Sequence, residues 1–158
     1  MKAVELYLET SVWNFCFADD TPEKRDATLA FFDGLAASPY EIFISQVVSE
    51  EIAEAEPVKR RQLLELLDRY RPVILDITEE VVELATPYRI HSAIPENKIE
   101  DALHVACATV SELDAVISWN MKHIANLRRQ ERIQAVNMLN GYHKPISLIT
   151  PLEVSSYE

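Results

Sequence analysis

Glycine is scarce in this chain, with 2 residues in 158. A Walker-type phosphate loop and a Rossmann dinucleotide fingerprint both need glycines where backbone must approach phosphate closely, so both are excluded. Cysteine is equally scarce. Cys16 and Cys107 sit in apolar contexts without metal-type spacing and are expected to be buried free thiols of a reducing compartment. The four histidines show no His-Glu-x-x-His spacing, which argues against zinc. No window reaches the ~18 apolar residues of a membrane span. Met1-Lys-Ala-Val-Glu5 lacks the apolar run of a signal peptide. A soluble, cytoplasmic protein is therefore expected. Positive charge is short too: 15 Lys+Arg against 26 Asp+Glu leaves a formal net charge of -11. That balance disfavours charge-driven coating of nucleic acid and suits a cation site or a basic partner.

Apolar residues are plentiful at 48%, enough for one domain over residues 1–158 with a full core. Val4–Leu8, Ile42–Ser45, Pro72–Asp76, Ala115–Ser118 and Pro145–Ile149 read as short buried strands. Helical patterns lie between them. One runs from Thr21-Pro22 to about Ala37 with Leu29, Phe32 and Leu35 inward. Another spans Pro57 to Tyr70 with Leu63, Leu64, Leu66 and Leu67 as its apolar face, and a third opens at Thr78 and is ended or kinked by Pro87. Strands alternating with long crossovers predict an α/β fold: a single-domain three-layer sandwich around a mostly parallel central sheet of about five strands.

The chemistry concentrates on Asn97-Lys-Ile-Glu-Asp101-Ala-Leu-His-Val-Ala-Cys-Ala-Thr-Val110. Asn97 with Glu100 is a capping signature, and the residues that follow are apolar on nearly every face except Asp101 and His104. A carboxylate at the mouth of a buried helix needs compensation, from the helix N-terminus or a cation. His104 reads as a satisfied core histidine. In a parallel sheet, ligands bind beyond the carboxyl ends of the strands. Glu9 ends the first strand, Glu50 and Glu51 follow the second, and Ser118-Trp-Asn120 closes the fourth. Glu9, one of the Glu50/Glu51 pair, Asp101 and Asn120 are expected to converge there. Carboxylates without His or Cys partners suit Mg²⁺ or Mn²⁺ and phosphodiester hydrolysis.

Four segments carry a family resemblance. Leu6-Tyr-Leu-Glu-Thr-Ser-Val12 resembles the opening Leu-Asp-Thr-Ser motif of PIN-domain ribonucleases. Ile44–Ile52 resembles their Ser-x5-Glu helix start, which selects Glu51. Glu100–Ala106 is similar to the Asp-Ala-x-x-Ala helix, and Val116–Asn120 to the Thr-x-Asp/Asn segment. The nearest likeness is to VapC-type toxins of toxin–antitoxin pairs. The resemblance implies an Mg²⁺/Mn²⁺-dependent endoribonuclease acting on RNA, usually a homodimer, inhibited by a cognate antitoxin. Glu9, Glu51 and Asp101 would bind the ion and Asn120 would assist, with Thr10 and Ser118 orienting carboxylates. Lys122, Arg128 and Arg129, in the one basic stretch, would hold RNA phosphates. Two departures stand out: Glu9 where Asp is usual, longer by roughly 1 Å, and Asn120 and His123 where other toxins carry acids. They leave open a weakened or inactive PIN-like module that acts through protein binding. A phospho-acceptor receiver domain is disfavoured, because Lys144 precedes the fifth strand and would reach the wrong edge.

Overall fold

A computed structural model describes residues 2–120 and 126–157. Five parallel strands form one sheet in the order β3-β2-β1-β4-β5: β1 (Val4–Leu8), β2 (Tyr40–Ser45), β3 (Val73–Leu75), β4 (Ala115–Ile117) and β5 (Ser147–Ile149). Adjacent residues of a strand point to opposite faces. Leu6, Tyr7 and Leu8 of β1 and Ala115, Val116 and Ile117 of β4 are all fully buried, so helices cover the central strands on both faces. The expected α/β architecture holds. The edge is barer, since Val73 and Ile74 of β3 remain exposed.

The helices are α1 (Thr10–Asn14), α2 (Pro22–Gly34), α3 (Gln46–Ala53), α4 (Pro57–Tyr70), α5 (Glu79–Ile90), α6 (Ile99–Val110) and α7 (Leu127–Leu139). Their starts follow from local chemistry. Ser45 accepts the Val47 N–H at 3.2 Å to open α3, and Thr78 accepts the Val81 N–H at 3.3 Å to open α5. The Glu56 carboxylate caps α4 through the N–H groups of Val58 and Lys59. Pro22 and Pro57 occupy first-turn positions, where a missing N–H costs nothing.

Four details differ from the sequence reading. The Asn97 cap does not form: a turn from Lys98 N–H to Pro95 O (2.9 Å) delays the helix, and α6 begins at Ile99 without a side-chain cap. Of the two readings of Pro87, ending or kinking its helix, the first is excluded, because α5 continues to Ile90. Leu29 and Leu64 face outward at 41% and 52% exposure, so those two leucines extend the apolar pattern beyond the stripe that packs. The third and fifth strands are shorter than expected, Val73–Leu75 and Ser147–Ile149.

The topology matters for function. From β1 the chain winds outward through β2 to β3, then returns to the other side of β1 with β4 and β5. Crevices form at such reversals, at the carboxyl ends of the strands. The N-terminus of α6 lies at that lip because the helix runs back against the strand it feeds. Cys16 and Cys107 are buried and unbridged, with burial pushing both thiols up to about 12. No helix among the described residues is long and apolar enough to cross a membrane.

Candidate active site

Glu9 leaves β1 in extended conformation. Its N–H donates to Ile117 O at 3.0 Å, continuing the β1–β4 pairing by one residue. Its carboxylate then caps α1. Oε2 accepts the Ser11 N–H at 3.2 Å, while Oε1 accepts the hydroxyls of Ser11 (2.6 Å) and Ser118 (2.7 Å). Only 6% of Glu9 is exposed. Such a buried carboxylate is tolerable because its oxygens are hydrogen-bonded.

Glu51 projects from α3 toward the same lip. Its Oε1 accepts the Thr10 hydroxyl at 2.8 Å and lies 2.7 Å from His104 Nε2. His104, from α6, is fully buried; its Nδ1 is 2.6 Å from Tyr7 Oη, which is 2.7 Å from Ser45 Oγ. This chain of side chains crosses from β2 through β1 to α6 and ends on Glu51. Every link finds a partner whether the imidazole is neutral or charged. Burial works against charge on both members. The mutual hydrogen bond outweighs it, holding His104 above its ordinary range and Glu51 below the usual carboxylate range.

Asp101 stands in the first turn of α6 and accepts a hydrogen bond from the Asn120 amide at 3.2 Å. Burial is the largest influence and the Glu9 carboxylate the next; together they push its pKa up to about 6. Asn120 donates its own N–H to Ser118 Oγ at 2.9 Å. The side chain that caps the following helix is Asn126, which accepts the Arg129 N–H at 3.1 Å.

Glu9, Asn120 and Asp101 are thus joined through Ser118, and Glu51 is near enough to act on Asp101 electrostatically. Thr10 holds Glu51 and Ser118 holds Glu9. They do not form a ready ion cage: among the described residues, no three His, Cys, Asp or Glu side chains are placed to hold a metal ion. Glu51 Oε1 is engaged by an imidazole and a hydroxyl, and Glu9 Oε1 by two hydroxyls, so one oxygen of each carboxylate is already committed within the protein. The sequence reading placed His104 in the core but did not show that it answers Glu51. The one available signal was its position one helical turn from Asp101.

In the basic stretch, Arg129 is engaged within the fold. Arg129 points its guanidinium inward, donating from Nη1 to Ala93 O (2.7 Å) and Ser92 O (3.2 Å). It ties α7 to the loop that precedes α6. Arg128 is exposed, and Lys122 lies outside the described residues. Arg129→Ala should therefore act on stability, lowering it by about 1–2 kcal/mol. Amide exchange should accelerate at Ala93 and Ile94, and protection unchanged there would refute the tether. Lys144 pairs with Asp114 at 3.2 Å, just before β4, at the opposite edge of the sheet. That position excludes the receiver-domain arrangement.

Compared by sequence, the chain matches no family model and no curated protein. By structure it is similar to a chain of VapBC2 from Rickettsia felis, bound to a DNA fragment from the promoter (19% identity, TM-score 0.57, covering 75% of this chain and 90% of that one). A toxin–antitoxin complex from Klebsiella pneumoniae gives 21% identity and a TM-score of 0.53 over 78% of this chain and 93% of that one. VapBC-5 from Mycobacterium tuberculosis, of the VapBC family of toxin–antitoxin systems, gives 21% and 0.51 over 93% and 98%. At these identities the likeness establishes the fold, a PIN-type α/β sheet flanked by helices.

Proposed function

We propose that this chain is the toxin-type member of a toxin–antitoxin pair, a PIN-like module that acts chiefly through protein binding and whose nuclease site is attenuated. The observation that carries the attenuation is the His104–Glu51 pair. A buried imidazole supplies to Glu51 the positive partner that a divalent cation would otherwise supply. Glu9 is held by two serine hydroxyls and Asp101 by the Asn120 amide, and neither forms an ion pair among the described residues. The residues present are a poor fit to Mg²⁺ or Mn²⁺ in the tri-carboxylate manner that the PIN likeness suggests. A basic segment of a partner protein suits the lip better: the chain is strongly acidic, and a cationic side chain could meet Asp101 without octahedral demands. The partner expected from the fold is an antitoxin, and a homodimer is the expected resting form.

A second reading, the metal-dependent endoribonuclease with Glu9, Glu51, Asp101 and Asn120 as its site, is favoured by one observation. A carboxyl pushed up to about 6 beside two further carboxylates is what a site awaiting a cation looks like. Titration calorimetry with Mn²⁺, paired with an assay of RNA cleavage, separates the two. The attenuated module should give no resolvable heat up to millimolar Mn²⁺ and cleavage near background. Micromolar binding, lost in Asp101→Asn, would overturn the attenuated reading and establish the nuclease.

A further inference from the structure

Beside the acidic lip lies a cluster that the acids do not use. Trp119 follows Ser118, which holds Glu9, and Phe15 lies one helical turn beyond Ser11, which also holds Glu9. Trp119 is fixed by three contacts. Its main-chain N–H donates to Ser11 Oγ (2.9 Å), its Nε1–H donates to Thr28 Oγ1 (2.8 Å), and the Phe15 ring packs against it at 5.9 Å and 43°. Over this pair sits the Lys24 ammonium, 5.6 Å from each ring centroid. Lys24 is exposed and makes no ion pair among the described residues, whereas its neighbour Arg25 is bound to Asp19 (2.9 Å) and Asp26 (3.0 Å). In a chain of net charge -11, an exposed ammonium held over aromatic rings is a charge left available. Its neighbours are two rings, one of them half-buried on the rim.

We propose that Lys24, Phe15 and Trp119 form a nucleotide subsite for single-stranded RNA beside the acidic lip. Lys24 takes a backbone phosphate, and an unpaired base stacks on Phe15 against the indole that braces it. Cation and aromatic side by side is the combination single strands use, because every base has a π-face and a phosphate one bond system away. The Lys24 contact lies to one side of the carboxylates, so a phosphate held there and a cationic side chain at Asp101 are separate contacts. The inference rests on the PIN reading only in naming RNA. It does not require the acids to cleave, so a failed Mn²⁺ titration leaves it standing.

The test is fluorescence anisotropy in EDTA, using the full chain, a short labelled single-stranded RNA of mixed sequence and its duplex. Wild type should bind the single strand in preference to the duplex. Phe15→Leu, which keeps the apolar contact and removes the ring, should weaken binding about tenfold. Lys24→Gln should weaken it several-fold and flatten the dependence of log affinity on log salt by about 0.7, the loss of one single-strand phosphate contact. Thermal melts accompany each variant. Single-strand affinity and salt slope unchanged in folded Lys24→Gln and Phe15→Leu would overturn the proposal and leave a purely structural cation–π contact. Equal affinity for the duplex, or no binding by wild type, would overturn it as well.

Discussion

His104→Ala is expected to be among the most damaging single substitutions in the chain, lowering stability by about 3–4 kcal/mol. The residue is fully buried and bonded at both nitrogens. Its removal opens a cavity, takes a partner from Tyr7 and leaves the Glu51 carboxylate, only partly open to solvent, without its cationic neighbour. For a domain of this size the loss should appear as a fall in Tm of about 8–14 °C. The pH dependence has a definite sign. His104 is raised above its ordinary 6.5, so its contribution is full below 6.5 and declines as pH rises through the higher folded value. Glu51 is lowered below 4.5, so its contribution is full above 4.5 and declines as pH falls through the lower folded value. Wild type should therefore exceed His104→Ala most between pH 4.5 and 6.5. Tyr7→Phe tests the chain behind the pair. It should cost about 1–2 kcal/mol alone and less in the His104→Ala background, because the two share one hydrogen bond. Additive losses in that cycle would mean that Tyr7 and His104 do not act together.

How much of this could be read beforehand depends on the range of the interaction. The parallel sheet was legible because buried strands such as Val4–Leu8 and Ala115–Ile117 are short apolar runs separated by helical periodicity, a signal local to each segment. The meeting of Glu9, Glu51, Asp101 and Asn120 was legible for a topological reason: each follows a strand or opens a helix at the same sheet edge. The internal answer to Glu51 was not legible. It depends on Tyr7, Ser45 and His104, which come from three elements and are 38 and 97 residues apart along the two Tyr7 contacts. No window of sequence contains that arrangement. Asn97 failed for the opposite reason. Its capping pattern is a purely local signal, and a competing local turn onto Pro95 won. Arg129 shows a third kind of miss. Charge places a residue in a basic stretch, but only packing decides whether its guanidinium faces solvent or the carbonyls of Ser92 and Ala93.

Asp101→Asn is expected to make the protein more stable at neutral and alkaline pH while removing whatever cleavage or cation binding the lip supports. The wild-type carboxyl is raised from 3.8 to about 6, a shift opposite in sign to that of a paired acid. Below pH 3.8 the group is protonated in both the folded and unfolded states and contributes nothing. Between 3.8 and about 6 the unfolded state ionises first, so stability falls as pH rises; above about 6 the penalty is constant. The full shift corresponds to about 3 kcal/mol. Because the group retains partial solvent contact, about 1–2 kcal/mol is the expected gain from Asn. Asparagine keeps an acceptor for the Asn120 amide, so the gain comes from the lost charge and not from a lost contact. In urea titrations the variant should match wild type at pH 3.5 and exceed it at pH 8, with a Tm advantage of about 3–6 °C at the higher pH. A variant less stable than wild type at pH 8 would show that the carboxylate is already compensated there. The lip would then hold no uncompensated charge at Asp101 and no attraction for a cationic partner there. The expected result instead identifies Asp101 as a residue retained at a cost in stability, which is the mark of a group kept for what it binds.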